Sequence, residues 1–168
     1  MKKRFRKLLT CTLLCALAVV SVFSFTQYSA SAYTMLDENT YVYENNLVKT
    51  VVNKSEQSGY IESKNGYDLS YLDDICGEVD IEDVIQFGED GYVDNFYVTK
   101  CGDGYTLHVY GCGPSGGILG LANGYLKFYD ATGDSYSLRI FSTTFKEHTV
   151  GFHSDDPRIV KVEWFADV

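Results

Sequence analysis

The chain has 168 residues and a formal charge of -9, with 15 Gly, 14 Tyr and five Cys. That length gives one domain of ordinary size, large enough for a core without a metal or a dense disulfide framework. The acidic balance repels phosphate backbones and anionic headgroups, so nucleic-acid and membrane-surface binding are set aside.

Residues 1–32 read as a secretory signal peptide. Lys2, Lys3, Arg4, Arg6 and Lys7 form a basic n-region, residues 8–25 are an apolar core, and Ala30-Ser31-Ala32 is a small-x-small cleavage signal. The run is long enough to consider an uncleaved anchor, but the basic flank and the cleavage signal favour removal. Neither Cys11 nor Cys15 sits where a lipid-modified cysteine belongs, and no second apolar run follows. The expected location is extracellular, with no stable membrane insertion after cleavage. Removing 32 of 168 residues leaves 136, and takes five of the 14 Lys and Arg but none of the 23 acids, for a formal charge of -14. Three cysteines remain, Cys76, Cys101 and Cys112, in a compartment where disulfides persist.

Residues 33–58 read as a polar leader with room for one edge strand, and residues 59–168 as the antiparallel β domain. Asn65-Gly66 is the commonest two-residue hairpin turn, although Leu69, Leu72 and Ile75 leave a short helical turn open. Residues 79–87 fit neither period. Phe96 and Val98, then Leu107 and Val109, alternate with polar residues around Asp103-Gly104. A two-residue turn there pairs Val98 with Val109, sets Tyr97 across from Tyr110, and keeps Cys101 and Cys112 about five residues apart, beyond disulfide reach. Cys76 is then the expected partner of one of them.

Residues 110–124 join this hairpin to the next, and six of the fifteen are Gly. Asp130-Ala131-Thr132-Gly133 fits a type I turn closed by a glycine bulge, which pairs Phe128 with Tyr136 and Leu126 with Leu138. His148, Val150 and Phe152 mark a further strand; Val160, Val162 and Trp164 alternate with Lys161 and Glu163 in a last one. Many short strands, close turn signals and at most one short helix describe an all-β fold, an antiparallel β-sandwich or Greek-key barrel. The C-terminal pattern resembles immunoglobulin-like and fibronectin-like sandwiches in general architecture, which carries no function. The cysteines do not bracket Trp164 as in an antibody domain.

Two motifs in the glycine-rich stretch resemble chemistry. Gly113-Pro114-Ser115-Gly116-Gly117 matches the G-x-S-x-G nucleophile elbow and is similar to the sequence around the nucleophile of trypsin-like proteases. An elbow needs a parallel strand feeding a helix, and here glycines lead into a hairpin. Pro114 also stands where the protease acid belongs. Gly111, Gly113 and Gly116 match G-x-G-x-x-G but lack the βα context of a dinucleotide site. No catalytic residue and no cofactor is therefore expected. His148 and His153 differ by an odd number, so a regular strand aims them to opposite faces. Calcium suits the acidic turns at Glu89-Asp90, Asp130 and Asp155-Asp156, but no spacing matches a calcium loop.

Outward tyrosines give the binding expectation. Tyr97, His108 and Tyr110 share one polar face, Tyr125 and Tyr129 another, and either could stack on a sugar or anchor a protein partner. The expected function is a secreted, non-catalytic module for an extracellular glycan or protein surface, with a secreted effector as the alternative and a Ser115 hydrolase third.

Overall fold

A computed structural model describes residues 33–71, 85–116 and 122–167. Among them eleven strands follow one another: β1 (Tyr33–Met35), β2 (Thr40–Glu44), β3 (Val48–Asn53), β4 (Ser58–Ser63), β5 (Gln86–Phe87), β6 (Gly91–Cys101), β7 (Gly104–Cys112), β8 (Asn123–Asp130), β9 (Ser135–Ile140), β10 (Lys146–Phe152) and β11 (Ile159–Asp167). One 3₁₀ turn spans Leu69–Tyr71. The strands form two packed antiparallel sheets, a β-sandwich. The seven-stranded sheet has the order β1-β2-β3-β4-β11-β8-β9 and the four-stranded sheet β10-β7-β6-β5.

Alternation of side chains sets what lies between the sheets. On β8, Leu126 and Phe128 point inward while Tyr125, Lys127 and Tyr129 point out. On β6 and β7, Phe96, Leu107 and Val109 do the same from the other side, and the rings of Phe96 and Phe128 meet edge-on at 5.4 Å. β11 comes last in the chain yet lies between β4 and β8, so Val162 and Trp164 close the middle of the core. Trp164 pairs with Gly59. A Cβ at Gly59 would stand 2.4 Å from the indole, so only glycine lets that ring seat.

The β8–β9 hairpin has the expected register, with Phe128 opposite Tyr136 and Leu126 opposite Leu138. The buried Asp130 carboxylate builds its turn: Oδ1 accepts from Thr132 N–H, Thr132 Oγ1 and Asp134 N–H, and Oδ2 from the Tyr136 hydroxyl at 2.9 Å. Burial raises the carboxyl pKa, but hydrogen bonds from Ser154, Thr132, Tyr136 and the Asp134 amide outweigh it and hold it below the ordinary value.

Other expectations are corrected. The β6–β7 turn is Gly102-Asp103, because Cys101 pairs with Gly104 and Val98 with Leu107. Gly102 has φ +59 and Asp103 is not in the left-handed region, the pattern of a type II′ turn rather than the I′ turn expected of Asp103-Gly104. The displacement is two residues in register, so the apolar residues keep their face while every cross-strand partner changes. Tyr97 therefore faces His108, and Tyr110 faces Asn95.

Asn65-Gly66 turns no hairpin: β4 pairs with β3 and β11, and the Gly66 carbonyl instead accepts from Arg158 at 2.8 Å. Residues 33–58 hold three paired strands, with Val48 and Thr50 buried, rather than a leader with one. On β11 the register shifts between Ile159 and Lys161, which puts Ile159 in the core and leaves Val160 half-buried. Cys101 is an exposed free thiol; Cys112 is a buried one, 3.1 Å from the Asp90 carbonyl to which it donates. No disulfide forms between the described cysteines. Cys76, residues 1–32 and residues 79–84 lie outside the described residues.

Candidate binding surfaces

The outer face of the four-stranded sheet gathers Tyr97, His108 and Tyr110. The Tyr97 and His108 rings stack at 4.6 Å and 3°, a contact the observed register makes by setting them directly opposite. Tyr110 follows at 6.2 Å from Tyr97, and Phe145 at 6.4 Å from Tyr110, both near-parallel; Tyr92 lies 6.0 Å beyond Phe145. Sequence reasoning missed Phe145, because the connection from β9 to β10 carries no alternation that would aim it. It is 45 % exposed, and Phe141 on the same connection is 61 % exposed with Lys146 over its ring at 4.5 Å.

A polar chain runs beside these rings. His108 Nδ1 lies 2.7 Å from Glu147 Oε1 and Nε2 lies 2.8 Å from Thr99 Oγ1. A carboxylate only accepts, so Nδ1–H donates to Glu147, and in the neutral ring Thr99 donates to Nε2. The His108 hydrogen bond, ahead of bonds from Tyr110 and Tyr97, draws Glu147 below the ordinary carboxyl range. Its bond with Tyr97, then desolvation and the Glu147 charge, push the Tyr110 phenol up to about 12.

Tyr125 and Tyr129 stand on the opposite side of the sandwich, so the outward tyrosines form two surfaces. Here cations cover the rings: Lys127 at 4.9 Å and Lys161 at 5.3 Å over Tyr129, and Arg139 at 5.8 Å over Tyr125. Phe165 stacks on Tyr125 at 5.0 Å and 10°. The Tyr129 hydroxyl donates to Glu163 Oε2 at 2.6 Å, and Lys161 pairs with Glu163 Oε1 at 2.7 Å. Hydrogen bonding to Glu163 raises the Lys161 pKa. Burial pushes Glu163 the other way, but the bonds from Lys161 and Tyr129 prevail and lower it.

A third feature lies at one end of the sandwich, where the turn at residues 54–57 meets the turn at residues 88–90 and the segment leaving β7. It is a cleft of about 540 Å³ with Trp164 and Val52 among its walls, joined through Gln57, Gly88 and Glu89 to an annex of about 250 Å³. Ser115 closes the annex. Its N–H donates to Asp90 Oδ1 at 2.9 Å and its hydroxyl to Oδ2. The three imidazoles lie elsewhere: His108 on the outer sheet face, His148 against Phe141, and His153 beside Gly104. The Ser115 hydroxyl is thus held by a carboxylate acceptor rather than by an imidazole base.

Among the described residues no three of His, Cys, Asp and Glu are grouped to hold a metal ion. Of the acidic turns, Asp130 has both oxygens in turn hydrogen bonds, and Asp156 pairs with Arg158 at 2.5 Å. Comparison with protein-family models, with curated proteins and with solved structures returns no match. The surfaces are therefore read from their own geometry.

Proposed function

We propose that this chain is a secreted, non-catalytic β-sandwich module that docks on a protein surface outside the cell through the outer face of its four-stranded sheet. Secretion rests on the basic n-region, apolar core and Ala30-Ser31-Ala32 signal. The observation that carries docking is the continuous row of Tyr97, Tyr110, Phe145 and Tyr92, longer than the Tyr125–Phe165 pair of the other face, with Phe145 in it nearly half exposed. A phenylalanine ring has no hydrogen bond to offer water or a sugar hydroxyl, and gains only when an apolar surface covers it. Tyr97 has one ring face already occupied by His108, which reduces what a sugar could stack on. Aromatic anchors beside a hydrogen-bonded polar chain have the composition of an interface centre and its rim. A secreted inhibitor or toxin-like effector would use the same face.

The test is capture from the extracellular protein fraction, with a glycan array in parallel. A defined partner held by the wild type and by Tyr125→Ala, but lost by Phe145→Ala, supports the reading. Capture indifferent to Phe145→Ala, or glycan binding that disappears with Tyr97→Ala, overturns it.

A further inference from the structure

We infer that Asn65 is a site of spontaneous covalent modification, where the side-chain amide is hydrolysed to aspartate and isoaspartate while the same Asn-Gly-Tyr sequence at Asn123 is spared. The chain contains this tripeptide at residues 65–67 and 123–125, and no other Asn-Gly. The following residues are thus matched at the two positions, and the fold makes the difference.

The chemistry needs only water. The Gly66 backbone nitrogen, once it has lost its proton, attacks Asn65 Cγ. The new C–N bond closes a five-membered succinimide, and the Cγ–Nδ2 bond breaks as Nδ2 takes up a proton and leaves as ammonia. Water then opens the ring. Opening at Cγ gives aspartate on an unchanged backbone; opening at the main-chain carbonyl gives isoaspartate, whose chain runs through Cβ and Cγ and is one carbon longer. Glycine favours the first step because no Cβ shields its nitrogen. Ring closure also turns the peptide out of the strand conformation, so a site reacts where that motion breaks no ladder.

Asn65 meets this condition. β4 ends at Ser63, the Lys64 N–H donates to the Leu47 carbonyl at 2.8 Å, and the 3₁₀ turn starts only at Leu69. Asn65 is exposed in the connection between them, Gly66 has φ +64, and the Asn65 Nδ2 donates to the Asn46 carbonyl at 3.2 Å, the long end of the hydrogen-bond range. Asn123 fails it. That residue is 5 % exposed, and its Oδ1 accepts from Arg139 Nε at 2.8 Å. Asn123 and Gly124 pair with Asp167 and Ala166 of β11, and Gly124 pairs with Ile140 of β9 on the other side. The Phe87 ring also lies 2.7 Å from where a Gly124 Cβ would stand. Turning this peptide would peel β8 from two neighbours.

The product alters what anchors the connection. Arg158 Nη1 donates to the Gly66 carbonyl at 2.8 Å. A modified residue 65 has no amide to give Asn46 and adds a negative charge one residue from the carbonyl that Arg158 holds; the extra main-chain carbon of isoaspartate shifts that carbonyl as well. The tie between the end of β4 and the start of β11 therefore changes irreversibly with the age of the molecule.

The full chain is kept at body temperature in mildly alkaline and in mildly acidic buffer, digested with pepsin in acid, where the step is slow, and read by mass spectrometry. In the folded chain the peptide bearing Asn65 should convert roughly tenfold or more faster than the peptide bearing Asn123. Conversion should be faster in alkali, take up one oxygen from heavy-oxygen water, and give both aspartate and isoaspartate on fragmentation. In urea the two peptides should convert at comparable rates. Asn65→Gln, which keeps an amide but has to close a larger ring, should all but stop conversion at position 65 and leave the Asn123 peptide as it is. An Asn65 that stays intact in the folded chain, equal conversion of Asn65 and Asn123 there, or undiminished conversion in Asn65→Gln overturns the inference.

Discussion

The two outer faces of the sandwich carry the same residue type in opposite circumstances. On the seven-stranded sheet Tyr125 and Tyr129 lie beneath Arg139, Lys127 and Lys161, and Glu163 ties the hydroxyl and ammonium groups together. On the four-stranded sheet Tyr97 and Tyr110 stand in a row of rings that continues through Phe145 to Tyr92, whereas on the other face the stack is the single pair Tyr125–Phe165. The difference lies in what surrounds the rings. Tyr129, under two cations and bonded through its hydroxyl, has its interactions met within the fold; each face keeps one partly exposed phenylalanine, Phe165 beside Tyr125 and Phe145 beside Tyr110, and the four-stranded sheet differs in the longer row of rings that leads to it. Outward tyrosine alone therefore does not mark a site, and the covering residues have to be read with it.

The largest effect should come from the uncovered face. Phe145→Ala is expected to weaken partner binding roughly tenfold or more by titration calorimetry with Tm nearly unchanged, and Tyr110→Ala to weaken it as much while also lowering Tm, since it removes ring contacts and hydrogen bonds within the sheet. Tyr125→Ala should leave that affinity alone. Loss of binding in Tyr125→Ala equal to that in Phe145→Ala would erase the distinction between the faces.

The covered face should answer in stability. Tyr129→Phe keeps the ring under Lys127 and Lys161 but removes the hydrogen bond to Glu163. The expected cost is about 1 kcal/mol, or roughly 3 to 5 °C in Tm. Calorimetry that finds no loss would mean that water replaces the hydroxyl fully and that the ion pair stands alone.

A third contrast is spectroscopic. Tyr110 is raised to about 12 chiefly by its bond with Tyr97, and Tyr136 is raised to about 12 by burial and by Asp130. Tyr97→Phe should return Tyr110 toward 10 and leave Tyr136 where it is, as followed by phenolate absorbance. A late Tyr110 in Tyr97→Phe would show that desolvation and Glu147 suffice.

Much of this surface could be read in the chain before its structure, and the two central hairpins show where the reading stops. Asp130 and Gly133 encode their turn locally, through side-chain acceptance from Thr132 and Asp134 and through one residue at φ +95, so the register follows from four residues. Gly102-Asp103-Gly104 offers two overlapping turn dipeptides, and a distant contact bears on which is used. Gly104 lies where a Cβ would meet His153 and the Phe152 carbonyl at 2.9 Å, a close approach between β7 and β10 that no local pattern encodes. Parity survives a two-residue shift, which is why Tyr97, His108 and Tyr110 were assigned to one face even though Tyr97 opposes His108. Residues 33–58 read as room for one edge strand where three form, because the chain that completes their sheet, β11, arrives about a hundred residues later.

The smallest effect compares the two sides of β10. Glu147 points out and is held below its ordinary 4.5, so its contribution to stability is present above that value and is lost as pH falls below it. His148 points in, is 5 % exposed, and has a buried Nε2 with no partner. Desolvation, then the Lys146 charge, lower it from 6.5 against an opposing backbone hydrogen bond at Gly111. A base whose folded pKa is depressed binds its proton more readily when unfolded. Stability is therefore full above 6.5 and declines as pH falls from 6.5 toward the folded value. The windows of the two neighbours are separate, so the decline between about pH 6.5 and about pH 5 isolates the inward side. His148→Leu keeps an apolar side chain against Phe141 and removes the titrating group. Urea midpoints at about pH 7.5 and about pH 5 should differ less in His148→Leu than in the wild type, the other histidines cancelling between the two proteins. An equal difference would show that the loss between those two pH values does not come from His148.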